Sequence, residues 1–299
     1  MSTETVMRGD SLGADVRATG RARRVAIVGI DGAGKSSVLA RLRELAPVTG
    51  SFASMTCPDF HNTRNVPLTE LSQQLKAFSV GCDEIASLEM KATAMYLQMT
   101  LFGPVERHFL STWSPDVLVF ERHPLIELLV YGPLYVALAR PEWNGHDRAA
   151  EIAAVLERHR PGTFDDILAW QRSESARLGS SPDIWDLLSE IADLVRRDVT
   201  ESVPGFADRF RTTLPDAVLW LDTPPEQAAA RCAERSGDGP KEAHETAERL
   251  GALRDGYLQV RDTLAAAFPE VEFHRIDTAD GVDLEESVRA CVTEGKLLG

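Results

Sequence analysis

The segment Gly29–Ser36 reads "GIDGAGKS" and fits the pattern G-x-x-x-x-G-K-[ST]. A short apolar run at residues 25–28, typical of a buried strand, precedes it, and apolar residues at helical spacing follow over residues 38–45. Glycines let a backbone wrap closely around a phosphate, and the amino end of a helix favours negative charge. The strand–loop–helix context therefore predicts a P-loop that holds a nucleoside triphosphate, with ATP favoured.

Two residues at the end of this loop have specific expected roles. Lys35 should bridge the β- and γ-phosphates, and the Ser36 hydroxyl should bind Mg²⁺. ATP and Mg²⁺ are therefore the expected ligands. The expected ATP-binding residues are Asp31, Gly32, Ala33, Gly34, Lys35, Ser36 and Ser37.

Apolar runs alternate with helical patterns along most of the chain. Four further strands are predicted at residues 54–56, 117–120, 217–222 and 271–277. Strands that alternate with helices indicate a parallel sheet covered on both faces. The predicted fold is α/β, a P-loop NTPase with a five-stranded parallel sheet flanked by helices and interrupted by a helical insertion.

Apolar residues at helical spacing predict helices between the strands. One helix is predicted at residues 68–78, and a second runs nearly unbroken over residues 83–110, as far as Gly103 and Pro104. In residues 141–213, three helices are predicted, the best defined at residues 182–199 with Ser181 as its N-cap. This insertion can form a dimer face, roof the acceptor site or enlarge the core, and its residues do not decide between these roles.

Composition limits the classes of partner. The net charge is −14, from 32 Lys and Arg against 46 Asp and Glu, which argues against a general nucleic-acid binder or an anionic membrane surface. The longest apolar run, residues 125–139, contains Glu127 and is shorter than the roughly 20 residues of a spanning helix. The amino-terminal residues lack the apolar core of a signal peptide. Four cysteines without CxxC or zinc-ligand spacing fit a reducing cytoplasm without disulfides.

Two motifs resemble the thymidylate kinase-like group of P-loop kinases, which includes thymidylate kinases and deoxynucleoside kinases. "GIDGAGKSS" is similar to the thymidylate kinase P-loop, down to Asp31. "VFERHP" resembles the strand-end motif of the group, and the longer "VFERHPLIELLVYGPLYVALA" is similar to the Asp-Arg-His-Pro segment of herpesvirus thymidine kinases. At the end of a buried strand beside the P-loop, Glu121 can hold Mg²⁺ or its waters, and Arg122 can clamp a phosphate or the 5′ oxygen. For His123, a capping or packing role competes with ligand contact.

The segment "LDTPPEQAAARCAERSGDGPKE" resembles the last strand and lid of the same group. Arg231 and Arg235 are four residues apart, so they share a helical face and can reach the transferring phosphoryl group together. The alternative is an exposed helix with ordinary surface charges. "SGDG" separates them from Lys241, where the herpesvirus pattern has a further arginine just past Arg235.

The acceptor side is less well defined. In "TCPDF", Asp59 lies where the group places a carboxylate, which would act as general base toward a nucleoside but is not required for a nucleotide acceptor. The order of the two residues, Pro58 before Asp59, resembles the Pro-Glu of some thymidylate kinases. Gln98 is the candidate for pairing with the base edge, and Phe60 and Tyr96 can sandwich a base ring. The alternative interpretation is that the aromatic residues belong to an apolar stripe that packs in the core, with Gln98 exposed beside it.

The resemblance covers residues 24–140 and 215–280. The polar, mixed-charge composition of residues 1–22 predicts a disordered tail. The resemblance implies a single P-loop kinase domain at 23–299, with a lid at 225–245 and the insertion at 141–213. The implied function is a Mg²⁺-ATP-dependent phosphotransferase acting on a nucleoside monophosphate such as dTMP. The alternatives are a nucleoside or deoxynucleoside 5′-kinase, including one for a modified nucleoside, and an ATP-binding regulatory switch. A homodimer is expected by analogy with the group.

Overall fold

The computed structural model describes residues 21–46, 51–236 and 246–298. Within these ranges, five strands form one sheet: β1 (Arg23–Val28), β2 (Phe52–Thr56), β3 (Val117–Glu121), β4 (Ala217–Asp222) and β5 (Glu272–Asp277). Their order is β2-β3-β1-β4-β5, and every neighbouring pair is parallel. The predicted five-stranded parallel sheet is therefore confirmed. The predicted tail falls almost entirely outside the described residues.

The central strands are covered on both faces. Apart from Arg23 and Arg24 at the start of β1 and the acidic residues that end β3 and β4, these three strands are apolar, and they are almost entirely buried, as expected for strands with helices on either side. From β1 the chain passes first to β2 and β3 on one side and later to β4 and β5 on the other. Ligands of open α/β sheets bind at such a reversal of strand order, outside the carboxyl ends of the strands. The P-loop leaves β1 at this point.

Twelve α-helices surround the sheet in the described part of the chain. The helices are α1 (Lys35–Leu45), α2 (Thr69–Glu84), α3 (Leu88–Met99), α4 (Phe102–Thr112), α5 (Pro124–Leu138), α6 (Ala149–His159), α7 (Thr163–Leu178), α8 (Leu187–Val195), α9 (Val199–Phe210), α10 (Pro225–Ser236), α11 (Ala247–Ala267) and α12 (Leu284–Gly295). None of them combines the length and the apolar character that a bilayer-spanning helix requires.

The prediction of one helix over residues 83–110 is wrong. α2 continues to Glu84, and α3 begins after Ser87, whose hydroxyl accepts a hydrogen bond from the Met90 N–H at 3.3 Å. Serine is preferred at such a capping position because its side chain accepts a hydrogen bond from an otherwise unpaired N–H group of the first turn. Gly103 and Pro104 lie in the first turn of α4, where proline is tolerated.

The segment 141–213 is helical, as predicted, but its third helix is misplaced. Asp183, rather than Ser181, caps a short 3₁₀ turn by accepting from the Trp185 N–H at 3.0 Å, and α8 ends at Val195. α9, which contains Pro204, follows as a separate helix. α6 and α7 pack on α2, and α8 packs on α5, so apolar residues of the segment join the same core as the helices flanking the sheet.

Candidate active site

The P-loop turns tightly between β1 and α1. Gly32 has a φ of 81°, and a Cβ atom there would lie 2.3 Å from the carbonyl oxygen of Ala228. Gly34 has a φ of 90° immediately before α1. Only glycine combines these left-handed conformations with such close approach at low cost. The loop therefore directs the amino end of α1 into the cavity beside it, as a phosphate cradle requires.

Lys35 lies against the inner side of the loop. Its side chain is 6% exposed, and its Nζ donates to the carbonyl oxygens of Gly29 and Ile30 at 2.9 and 2.8 Å. Burial lowers the pKa of Lys35 to about 8, and the positive charge of Arg122 acts in the same direction. The carboxylate of Asp31, 3.7 Å from Nζ, and those of Glu127 and Glu121 offset only part of this lowering.

Ser36 in the first turn of α1 is hydrogen-bonded to Glu121 at the end of β3. Glu121 ends β3 in register with Ile27 of β1, and its Oε1 accepts a hydrogen bond from the Ser36 hydroxyl at 2.5 Å. Thr56 of β2 lies 3.4 Å from the other carboxylate oxygen. A hydroxyl and a carboxylate beside a phosphate cradle suit Mg²⁺, which commonly takes one or two protein oxygens and completes its shell with water and phosphate. The described residues contain no cluster of three or more acidic, histidine or cysteine ligands.

Arg122 is held between two carboxylates. Its guanidinium group donates to Asp31 of the P-loop and, at 2.8 Å, to Glu127 of α5. Burial works against its charge, but the carboxylates of Asp31 and Glu127 raise the pKa of Arg122 well above its usual value. The charge of Arg122 is therefore already balanced by these two carboxylates.

A cavity of about 520 Å³ brings the predicted phosphate-binding residues together. Its wall is formed by Asp31, Gly32, Ala33, Gly34, Lys35, Ser36, Ser37, Val38, Glu121, Arg122, Arg231, Arg235, Thr278, Val282, Leu284 and Ser287. Arg231 and Arg235 approach from α10, and Arg231 also donates to the Asp280 carboxylate at 2.7 Å. The remainder of the predicted lid, residues 237–245 with Lys241, lies outside the described residues.

Asp59 and Gln98, both predicted to contact the acceptor, are in contact with each other. The Gln98 amide donates to Asp59 Oδ1 at 3.3 Å, and the Lys76 ammonium group lies 3.2 Å from Oδ2. The sequence motifs indicated the first two residues but not Lys76, whose position on α2 carries no motif. Asp59 does not line the 520 Å³ cavity.

The aromatic candidates and His123 lie in the core. Phe60 is fully buried and packs edge-on against Phe102 at 6.3 Å, while Tyr96 packs against Phe210 at 5.4 Å. Neither ring lines the 520 Å³ cavity, so the core interpretation describes both positions. His123 is buried, and its Nδ1 accepts from the Leu125 N–H at the start of α5, which is the capping role.

Comparisons with known proteins add little to this geometry. No protein-family model matches the sequence, and no curated protein matches it significantly. One of 206 matching chains of solved structures is a deoxyadenosine kinase from M. mycoides, with the products dCMP and a flexible dCDP bound. It shares 12% identity and has a TM-score of 0.46, over 91% of this chain and 97% of that chain. At that similarity, the fold assignment rests on the strand order and the P-loop geometry of the chain itself.

Proposed function

We propose that this protein is a Mg²⁺-ATP-dependent phosphotransferase. The supporting observation is the wall of the 520 Å³ cavity, which combines Lys35, the Ser36–Glu121 pair and two arginines of α10. Phosphoryl transfer needs chiefly the positioning of phosphates and the neutralisation of charge. Lys35 would hold the triphosphate, Ser36 and Glu121 its Mg²⁺, and Arg231 and Arg235 would reach the transferring group from the lid side.

The acceptor that the charge balance favours is a nucleoside, phosphorylated on a hydroxyl group. Asp31 and Glu127 already balance Arg122, and Lys76 and Asp59 balance each other. A monophosphate would bring a further charge of about −2 and would need one of these cations to leave its partner. A hydroxyl acceptor has no such requirement, and Asp59 could take its proton as general base.

A nucleoside monophosphate such as dTMP, which the P-loop and the Pro58-Asp59 order favour, is the second candidate. Lys76 supports it, because its side chain is 45% exposed while lying 3.2 Å from Asp59. A flexible lysine at the surface can turn from a carboxylate to a phosphate at little cost. In this case Asp59 would be a positioning group rather than a base.

The test is ADP release with Mg²⁺-ATP across a panel of nucleosides and their 5′-monophosphates, with products identified by mass. Phosphorylation of nucleosides, abolished by Asp59→Asn, would support the first acceptor class. Turnover on monophosphates that survives Asp59→Asn would support the second. Absence of product with every acceptor would contradict both.

The non-enzyme alternative is an ATP-binding regulatory switch. Substitution Lys35→Ala separates the two classes, because a kinase loses turnover whereas a switch has no turnover to lose and only binds ATP more weakly. The two arginines that line the cavity favour the kinase, since paired lid arginines serve the charge of a transferring phosphoryl group. A homodimer stays a prediction from the resemblance, and a cytoplasmic location stays a prediction from the pattern of cysteines.

A further inference from the structure

Glu127 is a buried charge in an otherwise apolar helix. It lies near the start of α5, within the run of residues 125–139, and is 2% exposed. A carboxylate without partners would be costly at such a position, and apolar side chains would fill it more easily. The phosphate-binding motifs do not account for its presence.

Both carboxylate oxygens of Glu127 have specific partners. Oε2 accepts from the Arg122 guanidinium group at 2.8 Å, and Oε1 accepts from the Tyr257 hydroxyl at 2.9 Å. Tyr257 is fully buried on α11, the helix that follows the lid. Burial, reinforced by the charge of Glu127, raises the pKa of Tyr257 well above its usual value, so the hydroxyl keeps its proton for donation.

Tyr257 also lies close to the P-loop. Its hydroxyl oxygen is 3.3 Å from the carbonyl oxygen of Gly29, the first residue of the loop. A tyrosine has one proton to donate, and the shorter contact is to the charged Glu127. The phenol therefore anchors Glu127 to α11, at a point beside the loop.

Arg122, Glu127 and Tyr257 form a chain of contacts. Of these three residues, Arg122 alone lines the 520 Å³ cavity. Its backbone has a φ of 65°, and its N–H donates to the Ile27 carbonyl at 2.9 Å, so its main chain is fixed at the end of β3. The side chain is fixed separately, by Asp31 on one side and Glu127 on the other. Loss of the Glu127 carboxylate would remove one of the two charged partners of Arg122.

We infer that Glu127, supported by Tyr257, is a positioning residue that fixes the Arg122 guanidinium group at the phosphate cavity. The inference rests on the proposed phosphotransferase function for its kinetic consequence. A misplacement of about 1 Å at a reacting centre can cost on the order of 100-fold in rate. Glu127 would act through Arg122, without touching the nucleotide.

The test compares Glu127→Gln with a matched control, Glu106→Gln. Glu106 is also buried, with one oxygen 2.6 Å from an arginine, Arg24, and the other 2.7 Å from a hydroxyl, Thr212. It does not line the cavity. Both variants should lower the melting temperature. Per folded enzyme, E127Q should lower kcat by about 10- to 100-fold with the KM for ATP changed less than about 3-fold, and E106Q should change neither beyond about 2-fold.

A double-mutant cycle with Arg122→Lys tests whether Glu127 acts through Arg122. If it does, R122K/E127Q should be no slower than R122K alone, because the group being positioned has already been replaced. If the loss of kcat in the double variant equals the product of the two single losses, the inference is overturned. Equal kcat losses in E127Q and E106Q would also overturn it. Should E127Q fail to fold, Tyr257→Phe replaces it, with an expected loss of about 3- to 10-fold in kcat and the same non-additivity with R122K.

Hydrogen exchange at the Arg122 side chain, measured by NMR, tests the positioning role without relying on turnover. In protein with ¹⁵N-labelled arginine, the side-chain signal that disappears in R122K belongs to Arg122. That signal should exchange slowly with water in wild type and rapidly in E127Q or Y257F, and should be unchanged in E106Q. Wild type without turnover on any acceptor would contradict the phosphotransferase, while unchanged protection of Arg122 in E127Q would contradict the positioning role.

Discussion

Lys35 is a charged group held in a place that disfavours its charge, which makes the proposed ATP binding dependent on pH. Its pKa is lowered to about 8, chiefly by burial. The protonated form, present below that pH, is the one that attracts phosphates. We expect kcat/KM for ATP to fall as pH rises through about 8, because this parameter reports the free enzyme. At saturating ATP, the bound phosphates favour the ammonium form, so kcat should fall only at higher pH.

Steady-state kinetics from pH 6.5 to 9.5 measure this dependence. Lys35→Arg is the control, since arginine stays protonated throughout that range. The residual kcat/KM of K35R should lack the fall near pH 8. A fall at the same pH in K35R, or a flat profile in wild type, would show that another group or none controls the binding of ATP.

Glu121 is expected to determine the requirement for Mg²⁺. Its carboxylate is 2.5 Å from the Ser36 hydroxyl, and removal of a group that supports a metal typically costs about 10- to 100-fold in affinity. Glu121→Gln should therefore raise the Mg²⁺ concentration for half-maximal turnover at least about 10-fold. Mg²⁺ titrations of ADP release measure this change.

The control for Glu121 is Glu285→Gln, which removes an exposed ion pair with Arg41 of α1. Exposed pairs contribute about 0–1 kcal/mol, so E285Q should leave the Mg²⁺ titration unchanged. Equal titration curves for wild type and E121Q would remove Glu121 from the metal site.

Residues in motifs could be located from the sequence, and residues that act through the packing of the chain could not. The P-loop residues are contiguous, and Glu121 and Arg122 follow a recognisable strand. Tyr257 and Lys76 reach the site only because α11 and α2 pack beside it, and their spacing along the chain carries no signal. Glu127 had one signal, since a carboxylate within a long apolar run indicates a buried partner.

Among the elements, strands were easier to predict than helix ends. The central strands have short apolar centres bounded by turn residues, so their pattern locates them, although β1 begins earlier than predicted because Arg23 and Arg24 belong to it. The boundary between α2 and α3 depends on capping by Ser87 and a left-handed φ of 52° at Ala86, which apolar periodicity does not reveal. α9 was missed as a separate helix, and it carries Pro204, a residue that a sequence pattern takes as a helix end.

The contact between α5 and α8 should depend on Gly132. A Cβ atom at Gly132 would lie 2.9 Å from Cγ1 of Val195. Gly132→Ala should gain up to about 1 kcal/mol of helix propensity but lose about 1–3 kcal/mol to overpacking, for a net loss of unfolding free energy. Val195→Ala removes the opposing methyl groups, so the double variant should be more stable than the sum of the single effects predicts, by roughly 1 kcal/mol. Urea denaturation of the four proteins measures the coupling.

Gly251→Ala on α11 is the matched control. The nearest atom to a Cβ there is Cγ of Pro225, at 3.7 Å, an ordinary contact distance. The free energy of unfolding of this variant should rise by about 0.5–1 kcal/mol, because alanine favours the helix more than glycine does and no clash opposes it. If G132A is as stable as G251A, α8 does not pack against α5 at this distance.

For the molecule as a whole, the central question is whether residues 141–213 fold with the sheet or apart from it. α6 and α7 pack on α2, α8 packs on α5, and buried residues of these helices, such as Leu156 and Ile191, belong to the same apolar core as Val119 of β3. A core shared in this way cannot be divided without exposing apolar surface on both parts. We therefore expect one cooperative unit, with the insertion contributing to the core.

Tryptophans report on both parts, with Trp185 in the insertion and Trp220 in β4, each almost fully buried. In protein labelled with 5-fluorotryptophan, the native ¹⁹F signals of these two residues should disappear at the same urea concentration. Mg²⁺-ATP at about 100 times its Kd should stabilise both by about 2.7 kcal/mol, although it binds at the P-loop. Loss of the Trp185 signal at lower urea, or a shift of Trp220 alone, would show instead that the insertion is a separate folding unit. Equal shifts would mean that occupation of the phosphate cavity stabilises the insertion through the shared core.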